Sequence, residues 1–202
     1  MAPVIPRPDR IRGFDNGSAF LDWLSRHHAS ETELWLKIAK KGSDTPSITY
    51  AEALDVALCW GWIDGIKKSF DETAFLQRFS PRRPKSIWSQ KNRNHIARLK
   101  VEGRMTEHGQ VHVDAAIKDG RWAAAYGSSA DIEMPEDLLA AISTNPAAQP
   151  LFEQLDKTNR FALAFRIGNL KTAAGRARAI ERFVDMLARG ETLHPLPASK
   201  KS

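Results

Sequence analysis

The spacing of apolar and polar positions changes period several times along the chain. In FDNGSAFLDWLSRHHA, Phe20, Trp23, Leu24 and His27 recur at helical spacing, which predicts a helix starting between Asp15 and Ser18. TELWLKIAKK then alternates, with Leu34, Leu36 and Ile38 on one side and Glu33, Trp35 and Lys37 on the other, the pattern of a half-buried strand. Beyond the loop KGSDTPS, Thr49 and Glu52 have the spacing of a capping box. A helix is therefore expected from Tyr50 to about Trp60, stopped by Gly61. Ile66 and Phe70, then Phe75, Gln77 and Phe79, predict two strands around a turn at Asp71 and Glu72, closed by Pro81 and Pro84. SIWSQKNRNHIARLKVEG carries Trp88, Asn92, His95, Ile96 and Leu99 along one stripe, with Gly103 as its cap. A shorter helix follows between Thr106 and Gly120.

From Met134 the pattern is helical only: PEDLLAAIS, PAAQPLFEQLD, NRFALAFRIGNL and GRARAIERFVDMLARG. In the last of these Ile180, Phe183, Val184 and Leu187 fall on one face, and Pro135 suits the first turn of the first. The expected class is α+β: a small antiparallel sheet packed with helices, followed by an all-helical module. The expected divisions are 1–128, 133–192 and a loose tail, 193–202.

Charge adds a second pattern. The 202 residues carry a formal net charge of +6. Lys67 to Arg104 holds eleven Lys and Arg against three acidic residues, and Arg160 to the end holds nine against three, so the remainder is acidic. Such polarity suits phosphates, nucleic acid or another anionic surface, and equally a solvated face that keeps the protein soluble. No apolar run reaches the roughly 20 residues of a membrane span, and MAPVIPRPDRIRGF lacks the apolar stretch of a signal peptide. A cytoplasmic protein without membrane insertion is expected. The single Cys59 falls on an apolar helix face and reads as a buried, reduced thiol.

ELWLKIAKKG, TYAEALDVALCWGWIDGIKK, RFSPRRPKSIWSQKN, EGRMTEHG and AAIKDGRWAAAY, in that order, resemble the YdeI/OmpD-associated family, also called bacteriocin-protection proteins. The helices from PEDLLAAI to RARAIERFVDML resemble its helical module, so the resemblance spans about Glu33 to Gly190. It implies a role in protection against bacteriocins or cationic antimicrobial peptides, with a protein partner for the helical module. It carries over no catalytic residues and no cofactor.

Two segments hold candidate chemistry. In WGWIDG, Gly61 and Gly65 allow close approach, and Asp64 precedes Lys67. Trp60 extends the apolar helix face and is assigned to the core. Trp62 and Asp64 are open between packing and lining a site. In RFSPRRPKSIWS, Arg78, Arg82, Arg83 and Lys85 surround two prolines, so like charges are held together on a stiff loop. Ser86 and Ser89 lie at the start of the next helix, where free N–H groups favour an anion, and Trp88 would accommodate an aromatic or sugar group. The alternative has Ser86 as an ordinary cap, Trp88 in the core, and the arginines solvated or paired with Asp64, Glu52 or Asp55. His108 and His112 are four apart but lack a third ligand, so no metal is assigned. The leading function is non-enzymatic, with a basic Trp/Arg-lined anion site. Nucleic-acid binding, or an enzyme acting on a small phosphorylated or acidic substrate, is the alternative.

Overall fold

The computed structural model describes residues 4–127 and 133–196, and the chain divides into two compact units, residues 1–126 and 127–202. In the first, a single 3-10 turn (Pro8–Arg10) leads into β1 (Ile11–Gly13), α1 (Gly17–His27) and β2 (Leu34–Ala39). Then come α2 (Tyr50–Cys59), β3 (Trp62–Ser69), β4 (Ala74–Pro81), α3 (Gln90–Val101) and α4 (Glu107–Lys118). The strands form one sheet in the order β1-β2-β4-β3. The Pro/Arg-rich leader thus supplies a strand that the hydrophobic pattern does not announce. Three residues are too short for periodicity, and β1 exists because it pairs in parallel with β2.

Local chemistry sets most boundaries. Thr49 and Glu52 form the expected capping box on α2, and Gly61, at φ 73°, turns the chain out of that helix. The α2 helix is buried continuously from Ala53 to Cys59 because it has core on both sides. Towards the sheet it packs with Phe20, Trp23, Leu24, Leu36, Trp62 and Phe79. Its other face, through Leu54, Leu58 and Cys59, packs with Trp88, Ile96, Leu99, Val113 and Ala116 from the later helices. The α4 helix approaches α2 closely at Gly109, where a Cβ would stand 2.3 Å from the Cys59 carbonyl oxygen.

Trp35, expected on the exposed side of β2, is fully buried. It sits in an inner strand, between Ile11 of β1 and Arg78 of β4, so the sheet has covered positions on both faces and β2 is not half-buried.

The second unit is helical: α5 (Glu136–Ser143), α6 (Gln149–Gln154), α7 (Lys157–Gly168) and α8 (Ala173–Ala188). Ile180, Phe183, Val184 and Leu187 face its core, as their spacing predicts. Pro135 stands one residue earlier than expected, at the N-cap of α5. The segment read as a loose tail is tied at its near end. Leu193 and Leu196 pack on the core, and Asn159 accepts from the His194 amide and donates to its carbonyl. The rest of that tail, 197–202, lies outside the described residues. Among the described residues no helix is long and apolar enough to cross a membrane.

Candidate functional site

The corner between α2 and β3 is fastened from three sides. The Gly61 carbonyl accepts from the Arg82 amide at 2.9 Å, and the Cys59 carbonyl accepts from the Thr106 hydroxyl at 2.6 Å. His112 abuts Gly61 so closely that a Cβ there would meet its ring at 2.7 Å. This packing decides the position of Trp62, which the sequence leaves open between core and site. Trp62 is 1% exposed, stands edge-on to Trp23, and donates its indole N–H to the His28 carbonyl at 3.2 Å. It is core. Trp60, half-buried, packs against the cores on both sides of α2 as expected, stacks on His108 and lies tilted against His28. The inward turn of Trp62 follows from Gly61, which ends helical periodicity and restarts the chain as a strand.

The loop after β4 folds back on itself. Ser86 donates its amide to the Arg83 carbonyl, while its hydroxyl accepts from the Arg83 amide. Arg82 does not join an exposed cluster. Its side chain is buried, its guanidinium stacks 3.7 Å from the centre of the Trp88 ring, and Nη2 donates to the Ile87 carbonyl at 2.8 Å. Arg121 braces the same loop by donating to the Ser86 carbonyl at 2.7 Å and pairs with Asp119. Burial, then the neighbouring Arg121 charge, push the Arg82 pKa down to about 10, against smaller opposing effects of Tyr126 and Asp64. Arg82 remains a cation at neutral pH, and no carboxylate pairs with it among the described residues.

Ser89 caps α3 by accepting from the Asn92 amide, and Tyr126 joins Ser89 as a parallel bridge. Between these pieces and β3 lies a cleft of about 320 Å³, lined in part by Asp64, Arg82, Ser86, Ser89, Asn92 and Tyr126. Asp64 accepts from the Tyr50 hydroxyl at 2.8 Å. Burial and that hydrogen bond push the Tyr50 pKa well up, so the phenol stays protonated as a donor.

Of the sequence candidates, the cleft brings together Asp64, Arg82, Ser86 and Ser89, and Trp88 lies beneath Arg82 as its platform. The others are elsewhere. Lys67 lies beyond a bulge in β3 and covers the Phe75 ring at 3.9 Å. Arg78 pairs with Glu33 at 2.7 Å. Arg83 and Lys85 are exposed on the loop and do not line the cleft. Tyr50, Arg121 and Tyr126 were not sequence candidates, since only tertiary contacts bring them near.

Charge that looks segregated along the chain is mixed in space. Arg98 and His95 meet the buried Asp55 at 2.6 and 2.7 Å, and Arg98 and Arg104 also pair with Glu102. Burial raises the Asp55 pKa, but the hydrogen bonds from Arg98 and His95 more than offset it and hold it below the usual carboxylate value. Cys59 is buried, and burial pushes its thiol up to about 11, which suits packing and not nucleophilic attack.

Residues 12–112, half of the chain, match the family model of a domain of unknown function (DUF8412). Residues 131–190 match the model described as Bacteriocin-protection, YdeI or OmpD-Associated. The YdeI/OmpD-associated likeness is thus carried by the second unit, and the cleft residues from Asp64 to Asn92 fall in the first match. No curated protein and no solved structure matches the chain.

Proposed function

The chain belongs to the family of a domain of unknown function (DUF8412) and carries a YdeI/OmpD-associated module C-terminal to it, and we propose that its first unit binds a small molecule through an anionic group, a phosphate or a carboxylate. One observation carries this reading: Arg82 is 5% exposed, charged, and without an anionic partner among the described residues, yet opens on the cleft. A buried charge left unpaired costs several kcal/mol in effective terms, so proteins seldom retain one without a compensating group. The start of α3, at Ser89, adds a favourable dipole on the same wall. A cleft at the small end of the ligand-site range favours a compact molecule. Nucleic acid is the weaker partner, because several arginines of the basic segment are already neutralised by Glu33, Asp55 and Glu102.

The test is calorimetric titration of the full chain with ethyl phosphate. Saturable binding is expected, weakened at least about tenfold by Arg82→Met, which keeps the stacking bulk and removes the charge. Asn92→Asp guards against misfolding, since an acidic residue in the first turn of α3 favours the helix while repelling an anion. Binding unaltered by both substitutions would refute the assignment. For the second unit, the family description supports a role in bacteriocin or cationic-peptide protection. A strain lacking this gene is expected to be more sensitive to a cationic peptide such as polymyxin, and equal survival would remove that role.

A further inference from the structure

Two opposite charges face one cleft without meeting. Arg82 is held by Trp88 and the Ile87 carbonyl, and Asp64 by the Tyr50 hydroxyl. Neither is a partner in any of the ion pairs among the described residues, although Asp64 is near enough to act on the guanidinium. Opposite charges facing one small cleft attract and would close together unless separately fastened. Each is fastened by a neutral group that leaves its charge intact: a carbonyl and an indole face for Arg82, a phenol for Asp64. Lys67 and Lys68, close to Asp64 in sequence, do not pair with it, for a bulge intervenes and Lys67 is drawn over Phe75. An anion alone would satisfy Arg82 while bringing its charge towards Asp64. A ligand with an anion at one end and a cation at the other satisfies both walls.

We propose that the cleft selects a compact zwitterion, an amine bearing a phosphate or carboxylate, with Arg82 and the start of α3 taking the anion and Asp64 the ammonium group. The proposal rests on the anion-binding reading above and adds the ligand's second charge. Asp64 Oδ2 accepts from Tyr50, leaving Oδ1 for the ammonium, and the phenol fixes the orientation of the carboxylate. The volume of about 320 Å³ leaves room for a short linker between the two charges.

The experiment pairs probes differing only in the amine, 2-aminoethyl phosphate with ethyl phosphate and β-alanine with propionate, titrated calorimetrically into the full chain near neutral pH. In at least one pair the amine is expected to bind at least about tenfold more tightly. Asp64→Asn, which keeps the bond from Tyr50, should erase that ratio and tighten ethyl phosphate by removing a repulsion. Tyr50→Phe should reduce the ratio with little effect on the plain anions. Equal affinities within both pairs, or a ratio that survives Asp64→Asn, would overturn the zwitterion while leaving the anion site standing. If no probe binds the wild-type chain at about 10 mM, both readings fall.

Discussion

Among the described residues of the second unit the one polar side chain buried in the core, Asn159, is engaged through both ends of its amide, with Asp156 and with the His194 backbone. The first unit buries Asp55, Gln77 and Arg82, and leaves the indole N–H groups of Trp35, Trp60 and Trp88 and the Nε of Arg93 without an acceptor among the described residues. Each buried donor left unmet costs about 1–3 kcal/mol. The unmet groups include Trp88, directly beneath Arg82, and Arg93, which lies over Trp122. Among the described residues the second unit leaves no buried side-chain donor unmet. The other gives up stability around a cleft, which is where recognition is expected.

All six tryptophans belong to the first unit, so fluorescence reads it alone, while far-ultraviolet circular dichroism reads the helices of both. The largest effect should come from Phe183→Ala, which empties a core position 2% exposed in the second unit. A loss of about 3–5 kcal/mol is expected in the dichroism curve, with the fluorescence curve unmoved. Curves that shift together would show one cooperative block and dissolve the comparison. Gly109→Ala tests the other side. Its Cβ would meet the carbonyl oxygens of Cys59 and Leu58 at 2.3 and 2.7 Å, and backbone cannot yield as a side chain can. About 3 kcal/mol should be lost, now seen by fluorescence.

How much of this was legible in the sequence depended on the range of each interaction. Thr49 with Glu52, Gly61, Gly103 and Gly120 act within a few residues of themselves, and the structure has them in the expected roles. The stripe on α8 was equally readable, because one helix face needs no knowledge of its partner. Arg82, Ser86 and Ser89 entered the candidate site because they lie on one stiff loop. That Arg82 turns inward onto Trp88 while Arg83 and Lys85 stay in solvent is a matter of tertiary packing, which charge spacing does not record. The same holds for Trp35, covered by strands paired from either side, and for Tyr50, which reaches Asp64 across the α2–β3 corner.

The comparison sharpens at Asn159. Asn159→Ala removes the amide that holds the segment around His194 and leaves the backbone groups it served partly unmet. A loss of about 1–3 kcal/mol is expected in the second unit. Hydrogen exchange should rise at the His194 amide first. Unchanged protection there would mean that Leu193 and Leu196 hold the segment without it.

The smallest effect concerns protons. Burial, then the charges of Arg82 and Arg121, depress the pKa of His112 below its usual value near 6.5. A folded state that binds the proton less readily than the unfolded chain is favoured above pH 6.5 or so. It loses that stability as pH falls through the folded value. From about pH 7.5 to 5.5 the fluorescence midpoint of the first unit should therefore drop. His112→Gln should recover part of the drop, less than about 1 kcal/mol because the ring is only half-buried. Ethyl phosphate should shrink the same loss, since an anion at Arg82 offsets the charges that keep the proton away. An acid response that neither the substitution nor the ligand alters would separate His112 from the cleft and leave its buried cations to be explained by packing alone.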